Sequence, residues 1–82
     1  MDQASRTQQQ LGAALRRYRK AHSLTQGDLG AKINKRQATI SALESGEGGT
    51  LETLLAVLAA LDLELVVRPR TKSDVAGLGE IF

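Results

Sequence analysis

Cysteine is absent from these 82 residues, so no disulfide framework and no thiolate metal site is available to them, which fits a reducing compartment. Histidine occurs once, and no cluster of carboxylates stands where it would complete a nucleophile and base pair. The sequence therefore predicts no enzymatic activity, no metal and no cofactor. His22 itself reads as a helix-end cation or a packing residue. Long apolar runs are missing too: "LLAVLAAL" is the longest, far short of the roughly 20 residues a membrane-spanning helix needs. The opening "MDQASRTQQQ" lacks the basic and apolar regions of a secretory signal. A soluble, cytoplasmic protein with no membrane partner is the expectation.

What remains is enough for one small domain. Leu, Ile, Val and Phe make up about a quarter of the chain, above the roughly one fifth below which chains stay disordered. A chain this short buries only a modest core and folds marginally on its own. The formal net charge is only +2, yet its distribution is lopsided. Arg6, Arg16, Arg17, Arg19, Lys20, Lys32, Lys35 and Arg36 face Asp28 alone over residues 6–36, a local +7, whereas residues 37–64 carry five acids and no base, a local −5. One region suits a polyanion and the other repels it. The bases at 16, 17, 19 and 20 fit the solvated outer face of a helix equally well, and their position relative to a motif has to decide.

The apolar periodicity predicts four helices. In "LGAALRRYRKAH", Leu11, Ala14, Leu15, Tyr18 and His22 form one stripe, with the four bases opposite, and the helix runs to about His22. In "SLTQGDLGAKIN", Thr25 is the N-cap and Asp28 stands at the capping-box spacing, predicting a short helix from Gln26 to about Ile33 with Leu29 and Ile33 inward. Asn34 stands where a sharp turn needs a positive φ, which Asn tolerates well. "RQATISALES" is a third helix, closed by Gly46. After "GEGG", a connecting loop without the strand or the GK[ST] of a phosphate-binding loop, Leu51, Leu54, Leu55, Leu58 and Leu61 mark a fourth helix capped by Thr50. "LELVVRPR" then alternates as a β-strand over residues 63–70, stopped by Pro69, the one proline.

Two short helices around a tight turn, flanked by longer ones, form a helix-turn-helix arrangement. On the third helix Ile40 and Leu43 point one way, while Ala38, Ser41, Ala42 and Ser45 make an opposite face of small side chains that fits a major groove. Lys35, Arg36 and Gln37 stand at its start, with Thr39 beside them. Gln37 can pair bidentately with adenine, Ala38 can touch a thymine methyl, and Ser41 can bond a base or a phosphate. Gln26 can offer its side chain and backbone N–H to a phosphate.

"LTQGDLGAKINKRQATISALESG" resembles the Xre/Cro family of bacterial and phage repressors over residues 11–61, and "GTLETLLAVLAALDLELVVRPR" looks like the continuation found in HipB-type antitoxins. The resemblance implies a lambda-repressor-like all-α fold of four main helices, with one C-terminal β-strand pairing across a dimer. It further implies a homodimer that binds palindromic double-stranded operator DNA, represses its own operon in the nucleoid and forms a complex with a HipA-like serine/threonine kinase toxin. The chain departs from the family pattern at Asn34 and Lys35, which replace the usual glycine and apolar residue. Gly30, where the family favours a small residue, lowers helix propensity by roughly 1 kcal/mol against Ala, and close approach of the third helix is the expected compensation.

The domain organisation expected is a flexible segment over residues 1–10, the helix-turn-helix unit with its strand over 11–70, and a polar tail over 71–82. A lone strand must find its partner on another chain, so Leu63, Leu65, Val66 and Val67 are the candidate dimerisation residues, two copies pairing antiparallel across a two-fold axis. Ile81 and Phe82 end the tail either as an anchor on the toxin or as a frayed terminus. Besides the antitoxin reading, a stand-alone Xre/Cro-type transcriptional repressor and a protein-interaction module without DNA binding remain open.

Overall fold

Threonine hydroxyls start three of the four helices. Thr7, Thr25 and Thr50 each hold an extended backbone and accept from the N–H three residues on, at Gln10, Asp28 and Thr53, satisfying donors that a first turn leaves without partners. The computed structural model describes residues 4–70, and in it these caps open α1 (Gln8–Ala21), α2 (Gln26–Lys32) and α4 (Leu51–Ala60), while α3 (Gln37–Ser45) follows Arg36 with no side-chain cap. The capping box at α2 is complete: the Thr25 N–H donates back to the Asp28 carboxylate at 2.9 Å. α1 begins at Gln8, upstream of the Leu11 that opened the apolar stripe, because Thr7 supplies a polar cap that a search for apolar periodicity passes over.

The helix ends share one closure. Ser23, Asn34, Gly46 and Asp62 take φ values of 59°, 61°, 80° and 60°, and in each case the next N–H reaches back to a carbonyl five residues earlier. These bonds are Leu24 to Arg19 at 3.2 Å, Lys35 to Gly30 at 2.8 Å, Glu47 to Ala42 at 2.9 Å and Leu63 to Leu58 at 2.7 Å. This is the Schellman arrangement. Asn34 thus does what glycine does elsewhere, and Lys35, standing in the position where Leu24 and Leu63 lean on the core, is exposed.

Leu15, Leu29, Ile40, Leu43, Val57, Leu58 and Leu61 make the core, joined at its margin by Leu11, Tyr18, Leu24, Ile33, Leu54 and Leu63. Each of the fully buried aliphatic side chains contributes about 1.5–3 kcal/mol relative to exposure. α1 and α3 touch backbone to backbone at Gly12, where a Cβ would lie 2.6 Å from the Leu43 carbonyl oxygen. Gly30 is closed in similarly, with a Cβ there 2.6 Å from the Lys35 carbonyl oxygen. Its neighbour is therefore the turn that leads into α3, and this explains a glycine in a helix.

Two expectations need correction. Arg19 does not lie on the outer face of α1: it is 6% exposed and packed inside. Leu51 and Leu55 belong to the apolar pattern of α4 but stand in solvent, 65% and 46% exposed, because Thr53, Val57 and Leu58 take the inward positions instead. The strand expected over residues 63–70 pairs between two copies, and among the described residues of one chain it has no ladder partner. Only Leu63 leans on the core, and Leu65, Val66 and Val67 are exposed. Ile81 and Phe82 lie outside the described residues.

Candidate nucleic-acid interface

α3 shows the outside world a low surface. Ile40 and Leu43 are buried, and Gln37, Ala38, Ser41 and Ser45 are exposed, with Thr39 and Ala42 half-buried at the edges. The Ser45 hydroxyl donates to the Ala42 carbonyl at 3.1 Å, which keeps it close to the helix. Gln37, at the leading end, is the one long side chain on this face, which otherwise offers small groups to a groove of about 12 Å width. Lys35 and Arg36 are exposed immediately before the first turn, so the face is flanked by cations where phosphates would run.

Beside that first turn lies a polar system that the sequence did not announce. Arg19 pairs with Glu44 in a bidentate contact, Nε to Oε2 at 2.6 Å and Nη2 to Oε1 at 3.1 Å, and its remaining Nη1 donates to the Leu24 carbonyl at 2.6 Å. Both side chains are buried. The hydrogen bond to Glu44, more than the Glu44 charge, raises the Arg19 pKa above its ordinary value against the opposing effect of burial. Gln26 Nε2 donates to the same Glu44 Oε1 at 3.1 Å, and Gln37 Nε2 lies 3.5 Å from Gln26 Oε1. Residues from α1, α2 and α3 thus meet in one chain of contacts that runs from the core to the exposed end of α3. Among the described residues no buried side-chain polar atom lacks a partner, as a polar network inside a small domain requires.

Of the residues singled out from the sequence, Gln26 and Gln37 are brought together, while Lys35, Arg36, Ala38 and Ser41 line the exposed edge and face of α3. Thr39 is half-buried and turned partly away. A shallow, open cleft adjoins this edge, lined by Lys20, Ser23, Thr25, Gln26, Gly27 and Gln37. Next to Gly27, the exposed Asp28 is held below its ordinary pKa of 3.8 by hydrogen bonds from Thr25. Arg19 and Glu44 were missed, although a sign of them was present: each stands four residues after a core residue, Leu15 and Ile40, and so falls on the inward side of its helix.

Residues 62–70 border a second groove, which Ala4, Ser5, Arg6, Ala14, Tyr18 and Leu58 also line. Val67 is 89% exposed there. The candidate dimerisation residues are thereby divided between Leu63, which touches the core, and three that touch little. No helix among the described residues is long and apolar enough to cross a membrane, and no group of metal-ligating side chains occurs among them.

Residues 15–67 match the family model described as helix-turn-helix, HTH_3. Among solved structures, a HipB–O4 20mer complex is similar at a TM-score of 0.78 and 31% identity, over 85% of this chain and 100% of that one. A complex of a HipB variant with an O2 20mer is similar at 0.79 and 30% identity, over 87% of this chain and 100% of the other. A HipA–HipB–O2–O3 complex is similar at 0.77 and 31% identity, over 85% and 100%. No significant match is found among curated proteins.

Proposed function

The chain belongs to the Xre-type helix-turn-helix family and is HipB-like, and from that premise we propose that it is the DNA-binding antitoxin of a type II toxin–antitoxin pair. In this reading it acts as a homodimer in the bacterial cytoplasm, represses its own operon and binds a HipA-like serine/threonine kinase toxin. The observation that carries the DNA-binding part is the exposed small-residue face of α3 with Gln37 at its leading edge and cations beside it. The family is one of DNA-binding regulators, generally without enzymatic activity. The toxin part is supported by likeness to the HipB chain of a complex that contains HipA.

In the groove, Gln37 reads adenine through its amide, Ala38 meets a thymine methyl, and Ser41 bonds a base or phosphate. Gln26, Lys35 and Arg36 hold the backbone, and Thr39, half-buried, contributes at the edge of the footprint. The dimer forms through residues 63–67, two copies pairing antiparallel so that Leu65, Val66 and Val67 gain the cover they lack in one chain. A two-fold axis then implies a palindromic operator with half-site centres about 34 Å apart. Ile81 and Phe82 are the proposed anchor on the toxin.

Two measurements test this. Binding of the full chain to the DNA upstream of its own gene, followed over a range of salt, is expected to fall with a log–log slope of about −0.9 per neutralised phosphate; a flat response favours a module that contacts protein only. Capture of the chain together with a co-expressed kinase encoded beside it is expected at fixed stoichiometry. Steep salt dependence without a kinase partner favours the stand-alone repressor.

A further inference from the structure

We propose that residues 62–70 carry a charge code that selects a second copy of this chain in one register, with Val66 of one copy facing Val66 of the other on the two-fold axis. This rests on the strand-paired dimer proposed above and deepens it, by fixing its alignment and its choice of partner. The segment reads "DLELVVRPR": Asp62 and Glu64 precede Val66, and Arg68 and Arg70 follow it at mirrored distances. All four charges are exposed in the single chain, as are Leu65, Val66 and Val67. After the stop at Asp62, residues 63–70 enter no further helix or turn, so their backbone is open to a ladder.

A two-fold axis relating antiparallel strands passes between a residue and its own copy, so the register is a choice of that residue. With Val66 on the axis, Glu64 stands opposite the partner's Arg68 and Arg68 opposite the partner's Glu64, while Asp62 and the partner's Arg70 flank the ladder at each end. Leu65 then meets the partner's Val67 on the other face, the one Leu63 already turns to the core. Moving the axis to Leu65 sets Glu64 against the partner's Val66, and moving it to Val67 sets Arg68 there, so in both cases a charge faces an apolar side chain. Pro69 fits the Val66 register as well. If Val66 and its copy exchange hydrogen bonds, Pro69 falls opposite Leu63 in a pair that exchanges none, where a missing N–H costs the ladder nothing. A strand with the same apolar alternation but its charges in another order meets like charges, and the code rejects it.

The test uses the full chain with two single variants, Glu64→Arg and Arg68→Glu, and follows dimerisation by sedimentation over a range of concentration. Each variant alone sets like charges opposite each other twice, and is expected to self-associate about tenfold more weakly at low salt, with the deficit shrinking as salt is raised. Mixed in equal amounts, the two restore every pair, so a heterodimer about as tight as the parent is expected. The double variant Glu64→Arg/Arg68→Glu is expected to regain its homodimer for the same reason. The chain has no cysteine, so Val66→Cys gives a second readout that leaves the charges alone. Residues facing each other in a hydrogen-bonded pair stand about 5.5 Å apart at Cα, within disulfide reach, whereas the copies of residue 65 or 67 lie on the longer diagonal. Mild oxidation is therefore expected to link Val66→Cys chains about tenfold faster than Leu65→Cys or Val67→Cys chains. A dimeric parent whose single variants dimerise as tightly as it does overturns the code and leaves the dimer intact, as does a mixture no tighter than either variant or fastest linking through residue 65 or 67. A monomeric parent overturns the dimer reading itself.

Discussion

The leading end of α3 and the outer side of α4 with the segment after it are opposite cases of how a small chain treats its surface. Around α3 the single chain has completed everything: Arg19, Glu44 and Gln26 satisfy one another, and the exposed face is small and polar. Around α4 it has not, because Leu51, Leu55, Leu65, Val66 and Val67 are large, apolar and exposed. A surface built for a polar ligand of fixed shape gains from being rigid before contact, since no ordering is then required at binding. A surface built to be covered by another protein has to leave its apolar groups out. The difference teaches that one copy finishes the leading end of α3 and leaves the outer side of α4 unfinished.

Breaking the finished side should have the largest effect. Arg19→Ala strips Glu44 of its bidentate partner and leaves a buried carboxylate, for which a loss of about 3–5 kcal/mol is expected in denaturant unfolding. That is a large share of the stability of a small domain. Gly12→Ala forces α1 and α3 apart at their backbone contact and is expected to cost about 1–3 kcal/mol in the same measurement. On the unfinished side, Val66→Pro removes a ladder N–H and is expected to weaken dimerisation about tenfold or more, near 1.4 kcal/mol, seen by light scattering as a shift of mass towards the monomer. An unchanged dimer would remove strand pairing from the account and leave the exposed face of α4 as the surface to examine. Thr25→Ala, which opens the α2 cap, should cost about 1 kcal/mol.

The same cap carries a pH dependence whose sign follows from Asp28. Its folded pKa lies below the ordinary 3.8, so its contribution is fully present at neutral pH and down to that value, and it disappears as pH falls through the depressed folded value. Acid melting curves of the parent and of Asp28→Asn should therefore converge at the lowest pH and separate above it.

What could be read in advance was what repeats or stands next to its cause. Apolar spacing located four helices, Thr25 with Asp28 announced its capping box, and Asn34 its positive φ, because each is settled within a few residues. The buried pair was not legible in this way. Arg19 and Glu44 are far apart in the chain, and a charge reads as solvated until the fold supplies its opposite. Gly12 gave no notice for the same reason, its partner being the backbone of α3. Leu51 and Leu55 were misjudged because an apolar residue on a helix reads as inward whether its cover is the same chain or another. The alternation at 63–67 is a property of the sequence, but a ladder is a property of two strands, and one chain has only the first.

The shared closure at Ser23, Asn34, Gly46 and Asp62 also governs time. Each stop is made within six residues, so it forms as fast as a helix itself exchanges with coil, in about a microsecond. Helices of 7 to 14 residues are marginal alone, so such a stop marks where a helix will end while packing around the core makes it persist, and contacts this local belong to the class of chain that folds in microseconds to milliseconds.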